Sequence, residues 1–577
     1  MLLALLGKYL SPYKGPILLV CLFQFAQTIA SLYLPGLNAK IIDDGVAQGD
    51  TAYIWQVGAL MLGVTVVQVV CNLIAIYIGA RIAMAVSRDL RAAVFSKVES
   101  FGSREVREFG APTLITRNTN DVQQVQLLLF VTLTLLVSAP MTAIGGLILA
   151  LREDVQLSGV FLVVLPTLAI TLGILIKRMR PLFRLMQTRI DTLNHIMREQ
   201  ITGVRVVRAF VREEHESERF ARANELNREI AVQTGRLMAV FFPLLMGFMN
   251  LSVVLALWWG AKRVGSGDIE IGQLIAFQQY LIQTLMAVMM STFIFMIWPR
   301  SEVAAERITE VLETVPEIDM DADFPPIAIE WGQVHVGSAT YAYPGAEYPV
   351  LQDVSFTANP GEMVAIVGST GSGKSTLLGL ISRLLDTTEG SVLLDGYNVK
   401  GIRPIDVWSA IGLVPQKAFL FSGTIASNLR YGDPDASDED LWEALRIAQA
   451  KDFVEALPEG LDAPVSQGGT NFSGGQRQRL AIARALVKKP VVYLFDDSFS
   501  ALDYATDAAL RSELAKVTQE STVIIVAQRI STIRNADQII VLDEGHIVGL
   551  GKHDELMEAC DVYREIVLSQ ISEEEAS

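Results

Sequence analysis

The chain has 577 residues, too many for one ordinary domain, and with 51% hydrophobic against 19% charged residues its composition argues against a wholly soluble protein. The net charge of −16, with acidic residues prominent after Leu312, argues against nucleic acid as a partner. Cys21, Cys71 and Cys560 lie far apart and fit neither a disulfide framework nor a metal-ligand spacing; they read as small buried hydrophobes.

In chain order, Met1 to Leu6 is apolar ahead of Lys8 and Lys14, which is the wrong order for a cleaved signal peptide. Six stretches then carry no charged residue: 15–39, 51–80, 122–151, 155–176, 237–261 and 271–299. Even the shortest would span about 33 Å as a helix, enough for a hydrocarbon core of about 30 Å. Six transmembrane helices are therefore expected.

Basic residues orient them. The connection from Arg81 to Asp121 carries seven Lys or Arg and that from Lys177 to Arg236 carries thirteen, whereas the alternate connections hold one or two each. The positive-inside rule puts the long connections, both termini and everything after Arg300 in the cytoplasm. These long connections keep helical character, with Ile201, Val204, Val207 and Phe210 among charged residues, so the helices are expected to run beyond the bilayer. Breaks at Gly110-Ala111-Pro112 and around Val211 to Glu216 mark turns where another domain could dock.

Within the spans, polar residues are few: Gln24, Gln27, Asn250, Gln278, Gln279 and Gln283. Gln279 and Gln283 share a helix face near Met286, Met289 and Met290, which suits a path for varied apolar ligands and equally suits interhelical hydrogen bonding. The division is expected at 1–315 for the transmembrane domain, 316–326 for an acidic, Pro-containing linker and 327–577 for a soluble α/β domain.

The chemistry lies in the second half. Gly368-Ser369-Thr370-Gly371-Ser372-Gly373-Lys374-Ser375 follows the apolar run Met363 to Val367 and precedes a helical pattern from Thr376. It reads as a P-loop, a Gly-rich bend whose backbone N–H groups turn toward phosphate oxygens. Lys374 then reaches the β/γ-phosphates of ATP and the Ser375 hydroxyl reaches Mg²⁺. Tyr343, about 25 residues earlier, could stack on an adenine ring. Val491 to Phe495 reads as a buried strand delivering Asp496 to Mg²⁺, followed by Asp497. Gln416 follows Val414-Pro415, and Ser473-Gly474-Gly475-Gln476 lies about a hundred residues after the P-loop.

That order of motifs, behind six helices, resembles an ABC exporter half-transporter, a transmembrane domain fused to an ATP-binding cassette, over essentially the whole chain. The resemblance implies two cassettes facing head to tail, each ATP held between one chain's P-loop and the other's Ser-Gly-Gly-Gln segment, and so a second half-transporter as partner. It also implies that Tyr343 stacks adenine and that Gln416 senses Mg²⁺ and couples to the membrane domain. Ser473, Gly475 and Gln476 would reach the partner's γ-phosphate. Ser500-Ala501-Leu502-Asp503 matches the D-loop, and the breaks near Gly110 and Val211 match the family's coupling helices.

Departures from the pattern carry as much information. Where the family usually has a glutamate that polarises the attacking water, this chain has Asp497, one methylene shorter. Where it has a switch histidine, this chain has Gln528, which can hydrogen-bond but carries no proton or charge. Ala463-Pro464 stands where exporters often have an acidic residue. The Asp497 and Gln528 changes fall on one nucleotide site while Ser473 to Gln476 is intact, which resembles the degenerate-site subunit of heterodimeric bacterial exporters of drugs or lipids. The expectation is a multi-pass protein of the bacterial inner or plasma membrane, among membrane lipids, moving a hydrophobic or amphipathic small molecule. Alternatives are a regulatory clamp that only binds ATP, a homodimeric exporter with two slow sites, and a lipid or siderophore importer on the same fold.

Overall fold

A computed structural model describes residues 1–320 and 324–574. Residues 321–323 of the expected linker lie outside it. Packing divides the chain into two units, one of residues 1–95 and 115–313, the other of residues 96–114 and 314–577.

The first unit is helical. Among the described residues six helices are long and apolar enough to cross a membrane: Leu2–Val46, Thr51–Glu99, Ala111–Glu153, Gly159–Thr202, Glu213–Gly265 and Ile271–Ser291. The second runs 49 residues, about 74 Å at 1.5 Å per residue, more than twice a hydrocarbon core. Small residues set the close approaches. A Cβ on Gly260 would meet Leu274 at 2.1 Å, and one on Gly146 would meet Thr284 at 2.5 Å. Polar pins sit at the helix ends: Arg263 binds Asp154 at 2.6 Å, and the Gly272 N–H donates to Asp43 at 2.6 Å. Gln24 is buried and donates to the Thr134 carbonyl at 3.3 Å, so it serves as an interhelical bond. Gln279 and Gln283 are half-buried, and Met286 and Met290 are exposed. The second long connection turns through a short helix, Val204–Ala209, with Phe210 and Val211 74% and 82% exposed.

The second unit is an α/β cassette. An antiparallel sheet has the order β2-β1-β4-β5, from β1 (Val334–Tyr341), β2 (Leu351–Ala358), β4 (Glu389–Leu394) and β5 (Tyr397–Asn398). A six-stranded sheet has the order β12-β11-β3-β10-β9-β6. Its members are β3 (Met363–Gly368), β6 (Ile411–Val414), β9 (Val492–Asp496), β10 (Thr522–Val526), β11 (Gln538–Asp543) and β12 (His546–Gly551). All pairs in it are parallel except β11 with β12. Two cores flank β3, with Val364 and Ile366 in one and Ala365 and Val367 in the other. Burial on both sides is why this run is continuously apolar instead of alternating. A two-stranded ribbon pairs β7 (Gly423–Thr424) with β8 (Pro464–Val465), and buries Ala463 beside it.

The unit also holds residues 96–114, which the sequence assigned to the membrane domain. Helix Ser103–Phe109 is joined to the chain just after Glu313: the Glu317 N–H donates to buried Glu105 at 3.1 Å, and Arg104 lies 3.7 Å from Glu317. The other Glu105 oxygen accepts from the Gly102 N–H at 2.8 Å, closing the helix N-terminus. Burial pushes the Glu317 carboxyl up, Glu105 and Asp386 adding to it, while Arg104 opposes.

Candidate nucleotide-binding site

Strand β3 ends at the centre of the parallel sheet, where α/β folds present ligand-binding loops. The loop after it depends on glycine. Gly371 and Gly373 have φ of +90° and +99°, and a Cβ on Gly373 would lie 2.6 Å from Leu351. Gly373 is also the cap of helix Lys374–Ile381, so the loop opens directly onto a helix N-terminus.

Around this turn lies a cavity of about 330 Å³. It is lined by Thr370, Gly371, Gly373, Lys374, Ser375, Thr376, Gln416, Asp496, Asp497 and Gln528, with Val350 and Val526. Lys374 folds over the loop, donating to the Gly368 and Ser369 carbonyls at 2.8 and 2.6 Å. Burial lowers its ammonium, with Asp497 and Asp496 opposing. The Ser375 hydroxyl donates to Asp496 at 3.0 Å. Burial raises the Asp496 carboxyl, Asp497 adding to the effect, while Ser375 lowers it. Among the described residues no three Asp, Glu, His or Cys side chains gather around a metal point. The Ser375 hydroxyl and the Asp496 carboxylate, 3.0 Å apart, form a donor pair that fits Mg²⁺, which commonly takes one or two protein ligands and completes its shell with phosphate oxygens and water.

Asp497 sits at the turn after β9, with φ of +46° and its N–H donating to the Val526 carbonyl at 2.9 Å. Aspartate tolerates this left-handed backbone better than most residues. Its Oδ2 accepts from two carboxamides, Gln528 at 3.1 Å and Gln416 at 3.3 Å. Burial pushes the carboxyl up, and the Gln416 bond offsets part of that. Gln416, Asp497 and Gln528 thus come from three separate loops onto one oxygen.

Tyr343 stands beside the cavity, not in its lining. Its hydroxyl lies 3.3 Å from the Thr376 hydroxyl, and its ring packs against Tyr341 at 5.0 Å and 87°.

Ser473, Gly475, Gln476 and Asp503 are not in this cavity. Ser473 caps the 14-residue helix Gly474–Val487, its hydroxyl accepting from the Gln476 N–H at 3.2 Å while its own N–H donates to the Gln476 side chain at 2.9 Å. Ser473 and Gly474 are exposed, leaving a helix N-terminus open to an anion. Asp503 caps helix Tyr504–Val517, accepting from the Thr506 N–H and hydroxyl at 2.9 and 2.8 Å, and these bonds lower its carboxyl.

Two residues that sequence reasoning passed over tie these parts together. Arg529 donates to the Leu502 and Ser500 carbonyls, linking the Gln528 loop to the D-loop segment. Buried Gln478 donates to the Pro415 carbonyl, linking the Ser473 helix to the loop of Gln416. Arg529 directly follows Gln528, so adjacency could have flagged it. No local signal pointed to Gln478.

Comparison with known proteins agrees across the chain. Residues 17–288 match the ABC transporter transmembrane region and residues 351–500 the ABC transporter family. An uncharacterized ABC transporter ATP-binding protein of Mycobacterium tuberculosis strain H37Rv is 49% identical over 575 residues, 99% of this chain and 98% of the relative. An ATP-dependent lipid A-core flippase of Chromobacterium violaceum is 31% identical over 575 residues, 99% and 97% of the two chains. The structure of a bacterial Atm1-family ABC exporter with ATP bound shares the fold, with a TM-score of 0.78 at 24% identity over 98% of this chain and 99% of that one.

Proposed function

The chain belongs to the ABC transporters, as an ATP-driven exporter subunit with its membrane region and ATPase in one polypeptide, and from that premise we propose that it serves a heterodimer as the subunit carrying the weak hydrolytic site. The observation that carries the reading is the convergence of Gln416 and Gln528 on Asp497. The group that must polarise a water is an aspartate about 1.5 Å short of a glutamate's reach, and misplacement of about 1 Å costs on the order of a hundredfold. The neighbour that would answer the γ-phosphate is a neutral amide.

In this reading the loop from Gly368 to Ser375 receives the phosphates, with Lys374 leaving the two carbonyls it now holds. Ser375 and Asp496 hold Mg²⁺ beside Gln416. Tyr343 supports the adenine ring. Exposed Ser473 and half-buried Gly475 and Gln476, at the start of their helix, complete the site of a second half-transporter, and Asp503 holds the helix between the two sites. The exposed Phe210 and Val211 give that partner a surface to engage. The substrate is an amphipathic lipid or drug: relatives at about 30% identity are lipid A-core flippases, and exposed Met286 and Met290 share a membrane-helix face with half-buried Gln279 and Gln283. The multi-pass chain then sits in a bacterial inner membrane with its cassette in the cytoplasm, among the lipids it draws on.

The test is Asp497→Glu combined with Gln528→His in the assembled transporter. ATP turnover per dimer rises if this chain's site is impaired, and unchanged turnover overturns the reading. Rapid turnover by the wild-type chain purified without another cassette protein would overturn it as well.

A further inference from the structure

The ring of Tyr343 has a neighbour from a distant part of the chain. The guanidinium carbon of Arg107, on helix Ser103–Phe109, lies 5.3 Å from the Tyr343 ring centroid. Arg107 Nε donates to the Ser103 carbonyl at 3.2 Å, which orients the side chain along its own helix. The helix beneath it is fixed by Glu105 and Arg104 to the Glu317 segment. Tyr343 is thus held by the Thr376 hydroxyl, by the Tyr341 ring and by a cation, and it remains half-buried, with part of the ring open.

We propose that Arg107 is a positioning residue for nucleotide binding: it steadies the Tyr343 ring from the side of the first cytoplasmic connection, so that stacking of a base on Tyr343 and seating of helix Ser103–Phe109 reinforce each other. The inference rests on Tyr343 as the adenine platform. A cation above one part of a π-face is worth about a two- to fivefold change in an equilibrium at a partly exposed site. By reciprocity, ATP then tightens this helix on the cassette by the same factor that the helix tightens ATP.

The experiment uses the purified full-length chain and displacement of a ribose-labelled fluorescent ATP by two competitors, ATP and inorganic tripolyphosphate, which has no ring. Arg107→Ala is expected to weaken ATP about two- to fivefold and leave tripolyphosphate unchanged. Arg107→Lys restores most of the loss, because the cation is kept. In a Tyr343→Leu background, Arg107→Ala has no further effect. Unchanged or tighter ATP binding in Arg107→Ala overturns the proposal, as does an equal loss for tripolyphosphate or an undiminished loss in the Tyr343→Leu background. If Tyr343→Leu leaves ATP affinity intact, the platform reading falls and this inference with it. If Tyr343→Leu weakens ATP while Arg107→Ala does not, only this inference falls.

Discussion

On the P-loop side of the cassette the charged and polar groups are turned inward and bonded to one another: Lys374 to loop carbonyls, Ser375 to Asp496, and two carboxamides to Asp497. On the other side Ser473 and Gly474 stand in solvent at the start of a well-capped helix, with their bonds satisfied locally. The first surface must break bonds to accept a ligand, whereas the second is already shaped. In the proposed reading its few residues form half of a partner's site, while Asp497 and Gln528, the residues that depart from the family pattern, both lie on the first. One cassette can therefore be poor at its own chemistry and sound in what it lends to a neighbour.

The largest effect is expected from damaging the lent surface. Gly475→Asp places a carboxylate where a γ-phosphate is to be bound, beside the Ala501 carbonyl that a Cβ would meet at 3.2 Å; ATP turnover of the assembled transporter should fall about 10²- to 10³-fold, as when a preorganised donor is lost. If turnover survives, this face does not serve a hydrolytic site. Next comes the double replacement Asp497→Glu with Gln528→His. A gain of up to about a hundredfold at this chain's site is expected, with about 1 kcal/mol of lost stability because glutamate suits the φ of +46° less well. Steady-state turnover and thermal unfolding read the two parts separately.

Lys374→Ala should weaken ATP binding at this chain's own cavity about ten- to a hundredfold, the worth of a charged hydrogen bond, yet reduce dimer turnover less than Gly475→Asp does. The reverse ranking would mean that the P-loop side carries the main catalytic site.

A small effect sharpens the contrast from the edge of the signature side. Asp440 accepts from Lys489 at 2.8 Å and from the Ser437 hydroxyl at 2.8 Å, and these bonds bring its carboxyl down from the ordinary 3.8 to about 2. Its contribution to stability is complete above pH 3.8 and is lost as the pH falls through about 2. Asp440→Asn should therefore be slightly less stable than wild type at neutral pH, with the difference shrinking across that window. Acid titration of tryptophan fluorescence measures it, and ATP affinity at the P-loop should not move. A difference independent of pH would show that the bond contributes nothing.

Much of this was legible in the order of residues. Charge-free runs announce the membrane helices because a bilayer tolerates nothing else. The P-loop and the strand ending at Asp496 are legible because phosphate binding and burial on both sides leave few choices of residue. Gln416 and Gln528 could each be named, but not their meeting on one Asp497 oxygen, since the three lie on loops that only the sheet order brings together. Asp503 was read for its place between sites, and its hydrogen bonds add the work of a helix cap. Arg107 was read only as one of many basic residues on the cytoplasmic side. Its place on an aromatic ring more than two hundred positions away leaves no periodic or local trace.

Residues 96–114 pack with the cassette although the chain reaches them between two membrane helices. A cassette excised at residue 314 would leave the Glu317 N–H without the carboxylate it bonds and Tyr343 without its cation. Exchange of ATPase modules between transporters of this kind therefore needs a second crossover, one that carries the excursion along. A graft with a single seam would inherit a foreign clasp.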